Sequence, residues 1–259
     1  MKTKYDLIGK GYNQTRKPDP YLASRMMALL APKQEGIYLD IGCGTGNYTC
    51  VFQKQGFNFI GVDPSATMLE KAKANQPKIQ WIQAQAESIP LPDQYFHGIL
   101  GSLTIHHWQD LTKAMKELRR VCKAQSKFVL FTSTPSQMEG YWLNHYFPNM
   151  MKDSMLQMPS FEVISQAMEN GGWQIEALET YDIQPDLADH FLYVGKEQPE
   201  LYLNPAIRSG ISSFSSLANQ KEVEKGLREL EEDIKSKKVS KIIERFKHNK
   251  GDYLFIIAH

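Results

Sequence analysis

The sequence predicts an α/β protein: a Rossmann-like, doubly wound, seven-stranded and mostly parallel sheet with an antiparallel last strand and a helical cap insertion. Three observations predict it. Short apolar runs alternate with segments of helical period between Ile37 and Thr132. A glycine-rich turn follows the first of those runs. A strongly strand-forming run, Tyr253–Ala258, closes the chain after a long charged stretch.

Taken in order, the segment up to about Asp19 is polar and reads as an irregular arm. Asp19-Pro20 opens a helix, with Asp19 as its cap and Leu22, Met26, Leu29 and Leu30 as its apolar stripe. Ile37–Ile41 reads as a strand, and Tyr48, Val51 and Phe52 mark the next helix. Phe57–Val62, Ile79–Ala84, Tyr95–Leu103 and Phe128–Thr132 read as further strands. Between them lie a helix over Ser65–Ala74 and another capped by Asp110, with Leu111, Ala114, Met115, Leu118 and Val121 on one face. After Pro135 the texture changes, and Met138–Phe161 is dense in methionine and aromatic residues. A helix from Phe161 to Gly171 and a strand from Trp173 to Ile183 restore the alternation. Pro185–Asn249 reads as helical, with Val223, Leu227, Leu230 and Ile234 in a heptad-like stripe.

Composition narrows the function classes. A chain of 259 residues with 42% hydrophobic residues can bury a substantial core. Thirty basic against 29 acidic residues give a net charge of +1, which disfavours a nucleic-acid partner. The three cysteines, Cys43, Cys50 and Cys122, offer neither a disulfide framework nor a CxxC metal pair. No metal site is expected. The N-terminal stretch has no apolar leader, and no run approaches the ~18 apolar residues of a membrane span. A cytoplasmic protein without a membrane partner is the expectation.

The most informative segment is Asp40-Ile41-Gly42-Cys43-Gly44-Thr45-Gly46-Asn47, between a strand and a helix. Glycines there permit a tight turn and close approach of the main chain to a ligand. Asp63 ends the second strand, 21 residues past Gly42, where a carboxylate accepts both hydroxyls of a ribose. A dinucleotide pyrophosphate calls for GxGxxG, but Asn47 stands at the third glycine position. The carboxylate of Asp40 would repel a pyrophosphate and suits a cationic amino-acid end. The loop therefore favours S-adenosyl-L-methionine over NAD. A glycine-rich turn with no ligand is the plain alternative.

In these segments the chain resembles class I S-adenosylmethionine-dependent methyltransferases, in the small-molecule branch called type 11 that includes quinone and sterol methyltransferases. The resemblance runs from about Tyr5 to Thr132 through LDIGCGTG, VDPSATML, AQAESIPLPDQYFHGIL and SLTIHHW, in that order. It implies binding of S-adenosyl-L-methionine, with S-adenosyl-L-homocysteine as product. Asp40 and the Gly42-Cys43-Gly44 backbone would hold the methionine part, and Asp63 the ribose. Pro64, Ser65 and Met68 would wall the adenine on one side, and Gln85, Ala86 and Glu87 on the other. Ser102 and Leu103 would lie under the sulfonium. Tyr12 and Arg16 match a YN-x-x-R pattern whose segment closes over the cofactor. Gln85 and His97 stand where relatives usually carry Asp, and glutamine keeps a carbonyl acceptor. The pattern of strands and helices divides a single domain, 1–259, into an arm and helix (1–35), a cofactor-binding half (36–134), cap insertions (135–160 and 185–249) and segments completing the sheet (161–184 and 250–259).

On the substrate side, His106 and His107 follow the fourth strand, at the edge that faces the crevice of an open α/β sheet. Either is a candidate general base, or both cap the next helix and pack on Trp108. His145 is a weaker candidate. The N/D-P-P-Y/F motif of amine and amide methylation is missing here. The expected activity is methyl transfer to an O, C or N atom of a small, partly hydrophobic molecule. A protein or RNA methyltransferase, and a non-catalytic cofactor-binding protein of the same fold, are the alternatives. The aromatic insert lines the substrate pocket or merely packs a cap, and the sequence does not choose. It also leaves the oligomeric state open.

Overall fold

In the computed structural model, which describes residues 15–259, seven strands form one sheet in the order β3-β2-β1-β4-β5-β7-β6. The strands are β1 (Ile37–Ile41), β2 (Asn58–Asp63), β3 (Trp81–Gln83), β4 (Phe96–Ser102), β5 (Cys122–Thr132), β6 (Ile175–Tyr181) and β7 (Tyr253–Ala258). The first five are parallel, and β7 runs antiparallel to both neighbours. It lies between β5 and β6 instead of along an edge. That position explains why all six of its residues are buried and why its sequence is apolar without alternation.

Local chemistry sets the helix boundaries. In α1 (Pro20–Leu30) the Asp19 carboxylate accepts the Leu22 N–H at 2.8 Å, and Pro20 fills the first turn. The second oxygen of Asp19 accepts the Ala188 N–H at 2.9 Å, so one cap also pins a distant loop. The helices that follow are α2 (Asn47–Lys54), α3 (Ala66–Asn75) and α4 (Leu111–Val121). Ser65 caps α3 and Asp110 caps α4.

The methionine-rich insert forms α5 (Pro135–Met138), α6 (Leu143–Tyr146) and α7 (Pro148–Gln157). Then comes α8 (Phe161–Asn170), capped by Ser160. The stretch from Pro185 is only partly helical. Residues 182–198 are irregular, followed by a 3-10 turn at Pro199–Leu203, α9 (Pro205–Ser209) and a π-turn at Ser213–Leu217. Regular helix returns in α10 (Gln220–Lys235) and α11 (Val239–Arg245). The buried face of α10 is Gly226, Leu230 and Asp233, while Val223, Leu227 and Ile234 are half-buried. Gly226 is required there because any Cβ would meet the Tyr146 carbonyl. The close crossing rotates the helix away from the simple heptad face.

Two large cores flank the sheet, with a smaller cluster of Leu69, Ala72, Ile79 and Trp81 beside β2 and β3. One joins α4 and α8 to the strands through Met115, Leu118, Ile164 and Phe128. The other joins α1 and the cap through Leu22, Tyr38, Phe131, Trp142, Tyr146 and Met150. The cap thus shares its core with one face of the sheet.

Candidate active site

The strand order reverses direction at β1, which lies between β2 and β4. The carboxyl ends of the parallel strands meet there, the place where open α/β sheets bind ligands. A cavity of about 370 Å³ opens at that edge, within the size range of small-molecule sites. Its walls come from the tips of β1, β2, β4 and β5 on one side and from the cap on the other.

The β1 tip forms from main chain. Gly42, Gly44 and Gly46 all have positive φ, at 70°, 55° and 72°. A Cβ at Gly42 would fall 1.9 Å from Thr104 Oγ1, so the turn packs on the segment after β4. Among the described residues a Cβ at Gly44 would meet nothing within 4 Å, and Gly44 borders the cavity. This is the open space a ligand lying against the loop needs. Asp63 is fixed by two backbone donors: Gly44 N–H at 2.8 Å to Oδ2 and Ser65 N–H at 2.8 Å to Oδ1. A carboxylate oxygen can accept more than one donor, hydroxyls included. Loop and carboxylate therefore fit the ribose and amino-acid parts of S-adenosylmethionine.

Pro64, Ser65 and Met68 continue the wall beyond Asp63. Gln85, Ala86 and Glu87 face the cavity from the segment after β3. Glu87 accepts the Gln109 N–H at 2.6 Å and the Asp110 N–H at 3.2 Å, which ties that segment to the β4–α4 loop. Ser102 and Leu103 end β4 at the cavity. Leu103 adopts φ 50° and donates its N–H to the Phe131 carbonyl at 2.8 Å. A left-handed leucine costs about 1–3 kcal/mol and persists only where the surroundings over-determine it. His106 and His107 follow in a 3-10 turn, ring centroids 3.9 Å apart, and both line the cavity.

Three sequence expectations end elsewhere. Asp40 does not reach the cavity wall. It is buried beneath the loop and accepts the Thr49 hydroxyl at 2.5 Å. Burial pushes its carboxyl up to about 7; the Thr49 hydrogen bond opposes the shift and the charge of Asp63 adds to it. A salt link to a ligand ammonium is not the environment Asp40 has. Cys43 also misses the cavity and packs with Trp81 behind the loop. His145 is exposed, edge-on to Tyr146, away from the cavity. Tyr12 lies outside the described residues.

Arg16 lines the cavity, and its partners come from the insert. Its Nε donates to Asp189 Oδ1 at 2.5 Å and its Nη2 to Oδ2 at 3.3 Å. Tyr48 donates its hydroxyl to the same carboxylate at 3.1 Å, and Asn47 Nδ2 donates to the Arg16 carbonyl at 2.5 Å. Nothing in the spacing of Asp189 marked it, because its partner is 173 residues away. Ser133 and Thr104 also went unread, although both lie just past strand tips, which was the available signal. His97, the unexplained departure, sits at the opposite edge of the sheet. Its Nδ1 accepts the Ile37 N–H at 3.0 Å and its Nε2 lies 2.8 Å from Lys123 Nζ, a role in holding the start of β1.

Within the methionine-rich insert, Trp142, Tyr146 and Met150 lie in the core and not on the cavity. The cap wall is instead Met138, Tyr141, Ser154, Gln157 and Met158, with Phe191, Leu192, Ile211–Ser213 and Leu217 from the second insertion.

Comparison with known proteins agrees with this geometry. The family described as Methyltransferase domain matches residues 39–130. A putative methyltransferase from an antibiotic biosynthesis pathway of Anabaena variabilis, known from its crystal structure, is 34% identical. It superposes with a TM-score of 0.84 over 95% of this chain and 99% of its own. The uncharacterized methyltransferase YcgJ of Bacillus subtilis is 35% identical over 97 residues, 36% of this chain and 38% of that protein. The ubiquinone/menaquinone biosynthesis C-methyltransferase UbiE of Campylobacter jejuni is 31% identical over 124 residues, 45% of this chain and 52% of that protein. Against these two curated relatives the chain matches about half of their length or less. The near-complete correspondence with the Anabaena protein and the match over β1–β5 lead to one conclusion: the chain belongs to the S-adenosylmethionine-dependent methyltransferases.

Proposed function

We propose that this enzyme transfers a methyl group from S-adenosyl-L-methionine to an O, C or N atom of a small, partly hydrophobic molecule. One observation carries the reading: a single cavity joins the glycine loop, Asp63 and the β4 tip to an apolar cap wall. The cofactor supplies an activated methyl on a sulfonium. The chain's task is to hold the acceptor in line with that methyl and keep water away, and positioning accounts for much of the rate. The backbone of Gly42 and Gly44 and the Asp63 carboxylate bind, Arg16 covers one side, and Ser102 and Leu103 form the floor. His106 and His107 are placed to take a proton from an acceptor that arrives protonated.

The family includes quinone methyltransferases such as UbiE, which supports a small organic acceptor. The near-balanced charge gives no basic surface excess for RNA. Incubating the enzyme with methyl-labelled cofactor and a metabolite extract tests the proposal. Label in a low-molecular-weight product is expected; label confined to protein or RNA overturns the small-molecule assignment. Binding of S-adenosylhomocysteine without turnover of any fraction would support a non-catalytic role.

A further inference from the structure

The cap half of the cavity has a distinct chemistry. Among the described residues, the charged groups on the cavity wall are Arg16, Asp63 and Glu87, with His106 and His107 able to charge. All of them lie on the arm and the strand-tip side. The wall supplied by residues 138–253 has no ionisable acid or cationic base; its polar atoms are hydroxyls and the Gln157 amide. A charged acceptor seated there would lose hydration with no ion partner, a cost of several kcal/mol.

The buried hydroxyls divide by polarity. Each carries one proton. Tyr141 donates its proton to the Asp252 carbonyl in a short hydrogen bond. Ser133 lies 3.0 Å from the Tyr141 oxygen and 3.3 Å from that same carbonyl, so its proton is also drawn inward. Across the cavity wall, Ser154 donates to the Met150 carbonyl at 2.7 Å and lies 2.8 Å from the Ser213 hydroxyl. Ser154 is the donor to Ser213 as well, so Ser213 accepts and its own proton is not drawn inward. Both pairs are buried, but only in the Ser133–Tyr141 pair are both protons drawn to a main-chain carbonyl. Lone pairs are what that pair has left to offer a ligand. Ser213 sits in the π-turn Ser213–Leu217, an irregularity that brings its hydroxyl to α7.

We infer that the methyl acceptor is an uncharged molecule that presents a hydroxyl or N–H donor to the Ser133–Tyr141 pair. This inference rests on the small-molecule reading above and sharpens it by excluding carboxylates, phosphates and ammonium compounds.

Calorimetry on the full chain saturated with S-adenosylhomocysteine tests it. The probes are two matched series: 1-naphthol, 1-methoxynaphthalene and 1-naphthoate; and geraniol, its methyl ether and geranate. In at least one series the alcohol binds about tenfold more tightly than both the ether and the carboxylate, the ratio that one hydrogen bond supplies. Ser133→Ala reduces that preference about threefold or more and leaves ether affinity unchanged. The wild-type comparison stands on its own should the variant fail to fold. Carboxylate or ether binding as tight as the alcohol in both series, or no alcohol binding at all, overturns the inference. A protein that does not bind S-adenosylhomocysteine in the first titration overturns the methyltransferase reading of the site instead.

Discussion

The two walls of the cavity are built on opposite plans. On the strand-tip side the shape is set by main chain: left-handed glycines, a left-handed leucine, and a carboxylate held by two backbone donors. On the cap side it is set by packed side chains, with Trp142, Tyr146, Phe147 and Met150 buried behind a wall of methionine, tyrosine and serine. A main-chain wall tolerates few residue types at each position. A side-chain wall tolerates many, as long as the volume is filled. One region can therefore stay constant across enzymes while the other changes with the acceptor.

The sharpest way to break that contrast is to empty the cap core. Trp142 is completely buried and donates its indole N–H to the Lys196 carbonyl at 3.0 Å. Trp142→Ala should cost about 3–5 kcal/mol of stability by leaving a cavity. Chemical denaturation measures it. Because Trp142 does not line the cavity, cofactor KM at a temperature where the variant is folded should stay within about twofold. A large rise in cofactor KM would mean that the two walls are not separate.

The second prediction concerns Asp40, the buried carboxylate under the loop. Its folded value is about 7, against about 4 in an unfolded chain. A raised carboxyl contributes stability that is fully present below about pH 4 and is lost as pH rises through 7. Asp40→Asn cannot ionise and can keep a hydrogen bond to Thr49. Wild type should therefore lose stability relative to Asp40→Asn between pH 4 and 7, by on the order of 2–4 kcal/mol. Parallel Tm curves for the two proteins across that window would show that the carboxyl is not raised.

Two glycine substitutions separate shape from space on the main-chain wall. Gly42→Ala drives a Cβ into Thr104 at a left-handed φ, and should destabilise the fold by about 2–3 kcal/mol. Gly44→Ala meets no atom of the described residues, so its stability cost should stay near 1 kcal/mol. Its cofactor affinity should instead fall by at least about tenfold, roughly 1.4 kcal/mol. Equal effects from the two would mean that the space beside Gly44 is not where the cofactor lies. Asp63→Ala belongs to the same wall and should weaken cofactor binding by about 1.5–3 kcal/mol, the scale of hydrogen bonds to a charged group. Unchanged affinity for S-adenosylhomocysteine by calorimetry would remove Asp63 from the cofactor site.

The same contrast explains what the sequence shows in advance. The strand–helix alternation, the Asp19, Ser65 and Asp110 caps and the run Tyr253–Ala258 are local patterns, and the elements form where those patterns stand. Gly42, Gly44 and Asp63 are legible because fixed spacing from a strand places them at one edge. Asp40 belongs to the same motif, yet its side chain points beneath the loop to Thr49, and adjacency in sequence does not tell which way a strand-end residue faces. In the cap, composition marks an apolar layer without dividing it between core and cavity. Trp142 and Tyr141 are neighbours, and only Tyr141 reaches the wall. Residues 182–198 have no regular structure, so no period could place Asp189 beside Arg16.

That pair is where the two plans meet, and it gives the smallest expected effect. Asp189 belongs to the second insertion, yet it holds Arg16, which faces the cofactor half of the cavity. Tyr48 and Asn47, from the helix that follows the glycine loop, complete the latch. The His190 N–H donates to the Thr15 carbonyl at 3.0 Å, so main-chain contact between insert and arm survives a change at Asp189. Asp189→Asn keeps the shape and removes the charge from a largely buried pair. It should raise cofactor KM about threefold to tenfold, about 1 kcal/mol, while kcat at saturating cofactor changes little. Arg16→Lys, which loses the planar fork, should give a similar split. A lower Tm with unchanged cofactor KM in both variants would make the latch a fastening of the cap alone. A matched rise in cofactor KM would show that the variable wall reaches across to steady the constant one.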